Sequence, residues 1–393
     1  MFTRIETRSF RCLNAINQRL GAFQALVGPN ASGKTTFLDV FGFLADLIRN
    51  KGDVVKAVQS RSTAFEKLLW KGQGRSFQLA VEADIPEAIN QMMAEDKRRF
   101  RGVRYEIQIG LNVETNEIGL DHETLWLMSP RAPDRSSQRS LFPQSLPCDD
   151  SLMISRSSTQ RKVAITKNPK GNDNYYPEGR DSYKPSFRLG RSVAALANLP
   201  ALADSFPVSI WFRDMLEKGV QSFVLNSQTI RQPSPPGLGR RFQPDGANLP
   251  WVIAELRKDR NRFQAWLAHV QTALEDIRDI DTIEREEDRH RYLVIEYANG
   301  AKVPSWLASD GTLRLLALTI PAYLNDLNGT FLIEEPENGI HPRAIETVLQ
   351  SLRSMYQSQV LVATHSPIAL NMLEPSEVLC FAKDESGATA IVS

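Results

Sequence analysis

Nine consecutive residues near the start of the chain have the composition and spacing of a phosphate-binding loop. They fit the pattern GxxxxGK[ST], and they are Gly28, Pro29, Asn30, Ala31, Ser32, Gly33, Lys34, Thr35 and Thr36. In such a loop, backbone N–H groups and a helix N-terminus face the phosphates of a nucleotide. Lys34 is predicted to reach the β- and γ-phosphate oxygens, and the Thr35 hydroxyl is predicted to bind Mg²⁺. The other residues, Pro29 excepted, are predicted to complete the cradle.

Two adjacent carboxylates could supply the hydrolytic chemistry. Glu334 and Glu335 follow the apolar run 330–333, which predicts a buried strand that ends in two charges. Parallel sheets place their ligand sites at this end of the strands. The first acid can hold Mg²⁺, and the second can polarise a water that attacks the γ-phosphate. Acidic pairs are common on surfaces, but charges that cap a buried strand need partners.

A histidine lies at the end of the next predicted strand. The apolar run 360–364 leads into His365, which lies 30 positions beyond Glu335. An imidazole at this end of a parallel strand can hydrogen-bond the γ-phosphate. A single histidine is more often a structural residue, and only its place on the strand after Glu335 makes it a candidate.

A fourth segment could bind an anion at the start of a helix. Ser309, Asp310, Gly311 and Thr312 precede an apolar stretch, so a small hydroxyl, a glycine and N-terminal amides would lie together. The alternative is a simple N-cap, which any serine, aspartate or threonine can supply. Pro321 should kink or end this helix.

The elements that position these residues follow from hydrophobic periodicity. Residues 1–27 are predicted to form two strands, and residues 34–48 a buried helix behind the phosphate loop. Alternating apolar residues between 77 and 127 predict an antiparallel sheet with one face exposed to solvent. Residues 251–277 are predicted to form one long amphipathic helix. A buried strand and helix around the loop favour a phosphate site over a glycine-rich turn without a ligand.

Length, composition and charge limit the classes of protein to which the chain can belong. The chain has 393 residues and should form two or more lobes. Its net charge of +1 gives no general argument for a nucleic-acid or membrane partner, and no apolar run approaches the roughly 18 residues of a membrane span. The first residues lack a signal-peptide core. The widely spaced cysteines suit a reducing cytoplasm. The lack of paired histidine motifs argues against a zinc enzyme.

One segment has a local excess of positive charge. Between 129 and 191 there are 12 Lys/Arg and 6 Asp/Glu residues, interleaved with Tyr175, Tyr176, Tyr183 and Phe187. Basic residues beside aromatics could contact nucleic acid through phosphates and stacking. A solvated insertion would have the same composition.

Taken together, the motifs resemble those of ABC-type ATPases of the RecF/SMC/OLD group, often called AAA family ATPases of bacterial defence and repair systems. The resemblance covers about 1–127 and 245–393, and it includes residues 245–249, which resemble the segment that follows the insertion in such proteins. It implies an α/β P-loop NTPase fold of the ABC-ATPase head type, with a mainly parallel sheet flanked by helices, an antiparallel β subdomain and a helical or irregular insertion. The expected division is 1–128, 129–245 and 246–393.

The resemblance also implies roles for individual residues. Lys34 and Thr35 bind phosphate and Mg²⁺, Glu335 is the catalytic carboxylate and His365 senses the γ-phosphate. Glu334 stands where most relatives carry an aspartate that serves the metal. Other residues are expected to act in trans on ATP bound by a second subunit, in an ATP-dependent head-to-head homodimer or larger oligomer. These residues are Ser309, Gly311 and Thr312.

The expected function is that of a cytoplasmic ATP-hydrolysing switch. Proteins of the OLD type continue into a nuclease domain where this sequence ends, so a separate effector, a nuclease or a toxin, is expected in anti-phage defence. The alternative is a RecF-like repair ATPase that binds DNA directly through residues 129–191. A third interpretation, the nucleotide-binding subunit of a membrane transporter, fits the large insertion and the Ser-Asp-Gly-Thr motif poorly.

Overall fold

The computed structural model describes residues 1–112, 114–130, 151–154, 157–325 and 327–392. The chain forms two compact units from interleaved segments. The first unit comprises 1–21, 28–220 and the residues from 379 onward, and the second comprises 22–27 and 221–378. The predicted division at 128 and 245 stays a prediction. Among the described residues, no helix has the length and apolar character needed to cross a bilayer.

Strands and helices are numbered in chain order. The strands are β1 (Phe2–Phe10), β2 (Leu13–Arg19), β3 (Phe23–Val27), β4 (Ser76–Asp84), β5 (Gly102–Asn112), β6 (Glu117–Met128), β7 (Arg161–Thr166), β8 (Asp173–Tyr175), β9 (Ser186–Phe187), β10 (Val220–Phe223), β11 (Ile277–Glu284), β12 (Arg291–Tyr297), β13 (Lys302–Pro304), β14 (Gly329–Glu334), β15 (Ser358–Thr364), β16 (Val378–Lys383) and β17 (Thr389–Val392). The helices are α1 (Lys34–Arg49), α2 (Val54–Gln59), α3 (Glu87–Met92), α4 (Pro207–Asp214), α5 (Ser227–Arg231), α6 (Leu249–Leu256), α7 (Arg260–Gln271), α8 (Asp310–Thr319), α9 (Pro342–Arg353) and α10 (Pro367–Asn371).

The first unit is built on an eight-stranded sheet that packs against α1. Its strands follow the order β2-β1-β4-β5-β6-β7-β8-β9, and the paired strands run antiparallel. Aromatic rings join sheet and helix, because Phe2 lies 4.9 Å from Phe41 and Phe10 lies 6.1 Å from Phe43, centroid to centroid. This apolar layer fixes the helix that begins at Lys34.

The second unit contains the parallel strands. β10, β14, β15 and β3 lie in that order, and β14, β15 and β3 run parallel. Their apolar side chains share one core with α6 to α9, in which Trp266 donates a hydrogen bond to Thr319 Oγ1 at 3.0 Å. The antiparallel sheet β11-β12-β13 also belongs to this unit.

Two predictions of local structure were wrong. Residues 251–277 form two helices and the start of β11, because Asp259 leaves the helical conformation and caps α7 by accepting from the Arg262 N–H. Residues 1–27 form three strands, because the chain reverses between β1 and β2 through Arg11, whose φ is +48°. The predicted antiparallel sheet is present, and α8 ends at Thr319, before Pro321.

Candidate functional site

The C-terminal ends of the three parallel strands β14, β15 and β3 lie side by side in the second unit. Glu334 on β14 is level with Ala363 on β15, and Thr364 is level with Val27 on β3. Neighbouring strands in a sheet lie about 4.8 Å apart. The segments that carry the two carboxylates and the histidine therefore leave the sheet side by side. Gly28 is covalently the next residue after Val27, so the phosphate loop follows β3 directly in the chain.

Glu335 leaves the strand in an unusual conformation. Its φ is +46°, a left-handed value that side-chain-bearing residues rarely adopt. Its N–H donates to Ala363 O at 2.8 Å, and its carbonyl accepts from the Asn338 N–H at 2.9 Å. The chain thus turns sharply directly after β14, and about half of the Glu335 side chain is exposed.

The tertiary structure brings Glu335 and His365 together. Nε2 of His365 lies 4.0 Å from Oε1 of Glu335, and both side chains are accessible to solvent. This distance is longer than a hydrogen bond. The half-exposed carboxylate is therefore accessible to a water molecule, with the imidazole beside it.

Sequence reasoning missed Glu337, which lies in the turn after β14. Its Oε1 accepts from Thr364 Oγ1 at 2.7 Å and from the His365 N–H at 2.8 Å. The signal in the sequence is a third acidic residue two positions after Glu335, separated from it by Pro336.

Lys34 lies in the first unit, at the start of α1. Its Nζ donates to Gly28 O at 2.8 Å and to Pro29 O at 3.0 Å, and the residue is buried. The ammonium is therefore held above the loop by carbonyls of the loop itself. The two exposed residues Asn30 and Ala31 lie between these carbonyls and the helix.

Close packing requires glycine at both ends of the phosphate loop. A Cβ on Gly33, where φ is +108°, would lie 2.2 Å from Thr389 Oγ1, and a Cβ on Gly28 would lie 2.2 Å from Phe381 O. Thr389 Oγ1 also donates to Ser32 O at 2.8 Å. The β16–β17 hairpin thus holds the loop in shape.

The loop fits the phosphate groups of a nucleotide. α1 begins after Gly33, which makes no side-chain capping hydrogen bond, and the N-terminus of a helix is a favourable place for a phosphate group. Ala31 has a φ of +60°, and Ser32 Oγ is buried without a hydrogen-bond partner in the described structure. Backbone N–H groups in such a turn and an unsatisfied buried hydroxyl suit a ligand rich in oxygen atoms.

The residues predicted to serve Mg²⁺ carry oxygen donors. Thr35 and Glu334 are exposed, and Thr36 is half-buried. The described ranges contain no cluster of three or more His, Cys, Asp or Glu side chains that could hold a metal. The oxygen donors of Thr35 and Glu334 suit Mg²⁺, which typically takes one or two protein ligands and completes its shell with water and substrate phosphates.

Ser309 is the N-cap of α8, and Asp310, Gly311 and Thr312 form the first turn of this helix. Ser309 Oγ accepts from the Thr312 N–H at 3.1 Å and lies 2.8 Å from Thr312 Oγ1. A Cβ on Gly311 would lie 2.9 Å from Gly339 O, so this turn packs directly on the turn that follows β14. Arg231, which the sequence did not indicate, donates to Asp310 from Nε and Nη2. The predicted trans role of Ser309, Gly311 and Thr312 stays a prediction.

Much of the basic segment belongs to folded structure. Tyr175 is fully buried and stacks on Phe187, and Lys167 forms a buried ion pair with Asp173 at 3.0 Å. Tyr183 is exposed. Residues 131–150 and 155–156 lie outside the described part, and nucleic-acid contact stays a prediction.

Comparisons with known proteins agree with this architecture. The profile of a family described as "AAA domain, putative AbiEii toxin, Type IV TA system" matches residues 23–147 and 200–371. Two solved structures share the fold at 12% identity: an SMC head bound to the C-winged helix domain of ScpA, with a TM-score of 0.56, and the corresponding complex from Pyrococcus furiosus, with a TM-score of 0.53. Each covers 100% of this chain, which in turn covers 96% and 95% of those chains. No curated protein sequence matches significantly.

The predicted α/β P-loop fold and the resemblance to ABC-type ATPases are confirmed. The family match covers well over half of the chain, and it includes β3, the phosphate loop, β14 and β15. The chain therefore belongs to this AAA-domain family and is a nucleotide-binding P-loop ATPase.

Proposed function

We propose that this ATPase hydrolyses ATP with Glu335 and His365 at the γ-phosphate and with Lys34 at the β- and γ-phosphate oxygens. The observation that carries the proposal is the alignment of β14 and β15, which brings Glu335 and His365 to 4.0 Å from each other, while the parallel strand β3 continues in the chain into the phosphate loop.

Lys34 supplies charge that a nucleotide can use. In the described structure its ammonium donates to the loop carbonyls of Gly28 and Pro29. Phosphate oxygens form stronger, charge-assisted bonds with an ammonium group. On binding, the amine donates to phosphate, and the positive N-terminal end of α1 stabilises the remaining charge.

Glu335 orients and deprotonates the attacking water, and His365 donates a hydrogen bond to the γ-phosphate. The carboxylate is half exposed and has its acceptor positions available, as this role requires. Thr35 and Glu334 would hold Mg²⁺, which supplies charge neutralisation at the phosphates. The longer side chain of glutamate, compared with aspartate, can reach the metal directly or through water.

ATP binding is proposed to join two copies of the chain. The N-terminus of α8, with Ser309, Gly311 and Thr312, would complete the site of a second subunit. Hydrolysis would then release the copies and make the protein a switch. The solved SMC heads are bound to a protein, ScpA, which supports a protein partner for this chain as well. The family description names a toxin system, which supports a nuclease or toxin effector in anti-phage defence.

Direct action on DNA is the second candidate. Four basic residues near the exposed Tyr183 are themselves exposed, and they are Lys170, Arg180, Lys184 and Arg188. Binding of a DNA duplex by the purified chain, with an affinity that falls steeply as salt increases, would favour this function. Lack of binding at low salt would exclude it.

Glu335→Gln tests the hydrolytic assignment. The amide cannot act as a base, so kcat for ATP should fall by about 100-fold or more, while the Kd for ATP stays close to that of the wild type. Steady-state phosphate release and equilibrium ATP binding measure the two quantities. Glu346→Gln, on an exposed position of α9, is the matched control and should retain the wild-type kcat. Full turnover by Glu335→Gln would refute the assignment.

A further inference from the structure

One side chain joins the turn that carries Glu335 to the turn that carries His365. Oε1 of Glu337 accepts both the Thr364 hydroxyl and the His365 N–H. Thr364 Oγ1 in turn accepts from the Ser366 N–H at 3.0 Å. The backbone on both sides of the histidine is therefore fixed, directly or through Thr364, by a carboxylate from the other turn.

The conformation of Glu335 makes this connection important. A left-handed residue at the end of a strand persists only where neighbouring contacts hold it. The turn after β14 is closed by the Asn338 N–H on Glu335 O and by the Ile340 N–H on Glu337 O at 3.1 Å. Glu337 lies inside this turn, so the same segment that sets the position of Glu335 also holds the backbone of His365.

The second carboxylate oxygen of Glu337 lies in a buried position and does not face solvent. Oε2 is buried, and it has no hydrogen-bond partner among the described residues. A buried carboxylate oxygen without a donor is unfavourable. Among the described residues, the hydrogen bonds of this carboxylate go to Thr364 and His365, so its effect acts on the histidine turn.

We propose that Glu337 is a positioning residue for ATP hydrolysis, which acts by holding His365 beside Glu335. This inference rests on the proposed roles of Glu335 and His365. It implies that the two turns move as one, because displacement of either breaks the hydrogen bonds of Oε1.

A double-mutant cycle tests the proposal. Glu337→Ala should lower kcat by about tenfold, with the KM for ATP changed by less than about threefold, because the reacting groups are displaced while the phosphate loop is intact. In a background of His365→Ala, adding Glu337→Ala should lower kcat no further, since the histidine through which it acts is absent. Glu337→Gln keeps an acceptor oxygen and should restore most of the activity.

Controls separate positioning from folding. Glu286→Ala removes an exposed carboxylate of the same unit and should leave kcat unchanged. If Glu337→Ala does not fold, Thr364→Val is nearly isosteric, removes the hydroxyl donor and should lower kcat in the same non-additive way.

The proposal is overturned if Glu337→Ala keeps the wild-type kcat, or if its effect multiplies fully with that of His365→Ala. Loss of turnover in Glu335→Gln and His365→Ala but not in Glu337→Ala would refute only this inference. Full turnover in Glu335→Gln would instead refute the proposed function.

Discussion

At the scale of single residues, chemistry depends on which partners each polar group has. Lys34 is buried and bonded to two carbonyls, whereas Ser32 Oγ has no partner among the described residues. Glu335 combines an exposed carboxylate with a left-handed backbone. Under the proposed function, phosphate and water are the additional partners of these groups.

Lys34→Ala is predicted to weaken ATP binding by at least about tenfold. Each charge-assisted hydrogen bond to phosphate contributes about 1.5–3 kcal/mol, and the alanine variant loses all those of the ammonium. Equilibrium titration with Mg²⁺ and ATP measures the effect. Lys56→Ala, on the exposed side of α2, removes the same charge away from the loop and should bind like the wild type. An unchanged Kd for Lys34→Ala would contradict the phosphate-loop assignment.

At the scale of elements, buried carboxylates fix the ends of helices. Glu178 accepts from the Val208 N–H at 2.6 Å and from the N–H and hydroxyl of Ser209, at the N-terminus of α4. Burial raises the pKa of Glu178 to about 7, and the hydrogen bonds from Ser209 and Val208 offset only part of this shift. The helix end is therefore sensitive to pH.

This pKa predicts a stability change between pH 5 and pH 8. The folded-state pKa of Glu178 lies above the unfolded value of 4.5, so its contribution to stability is complete below pH 4.5 and is lost as the pH rises through 7. The loss is at most about 3 kcal/mol. Urea unfolding of the wild type and of Glu178→Gln should show the glutamate more favourable, relative to glutamine, at pH 5 than at pH 8. An equal difference at both pH values would contradict the prediction.

Elements were predictable where the signal is local. The helix after the phosphate loop was expected at 34–48 and is found at Lys34–Arg49. The two helices within 251–277 were missed because their apolar residues keep helical spacing across the break. The helix is interrupted at Asp259, which accepts a hydrogen bond from the Arg262 N–H and caps α7. The spacing of apolar residues does not reveal this interruption.

At the scale of the whole molecule, the segments of the chain interleave. The chain enters the second unit for β3, leaves it at the phosphate loop and returns after β10 begins. The sheet of the second unit therefore combines strands from distant parts of the sequence. Assembly with a second copy is the proposed property that belongs to this scale.

Ser309→Asp is predicted to abolish the ATP-dependent dimer. Aspartate caps a helix as well as serine does, so α8 should remain stable. Its negative charge would repel the γ-phosphate of the partner subunit. In the Glu335→Gln background with Mg²⁺ and ATP, light scattering should show a dimer, and adding Ser309→Asp should give a monomer that still binds ATP.

Gln357→Glu is the control for added charge. Gln357 is exposed and lies next to β15 at the end opposite His365, so the substitution should leave the dimer intact. A dimer that persists in Ser309→Asp would contradict the proposed role of α8.

The sequence by itself determined the local features of this protein. Glycines at fixed positions, a lysine and hydroxyls indicated a phosphate loop, and two apolar runs that end in Glu335 and His365 indicated parallel strands with ligands at their ends. The P-loop fold and the parallel strands are confirmed, because backbone preferences and burial act over a few neighbouring residues, whereas the ligand roles of Glu335 and His365 stay predictions.

Only the tertiary structure decided how distant groups meet. The register of β14 and β15 set the 4.0 Å between Glu335 and His365, and it made Glu337 a partner of Thr364. Thr389 supports Ser32 across 357 positions of sequence. Such contacts depend on strand pairing and close packing over the whole unit, for which no short stretch of sequence carries a signature.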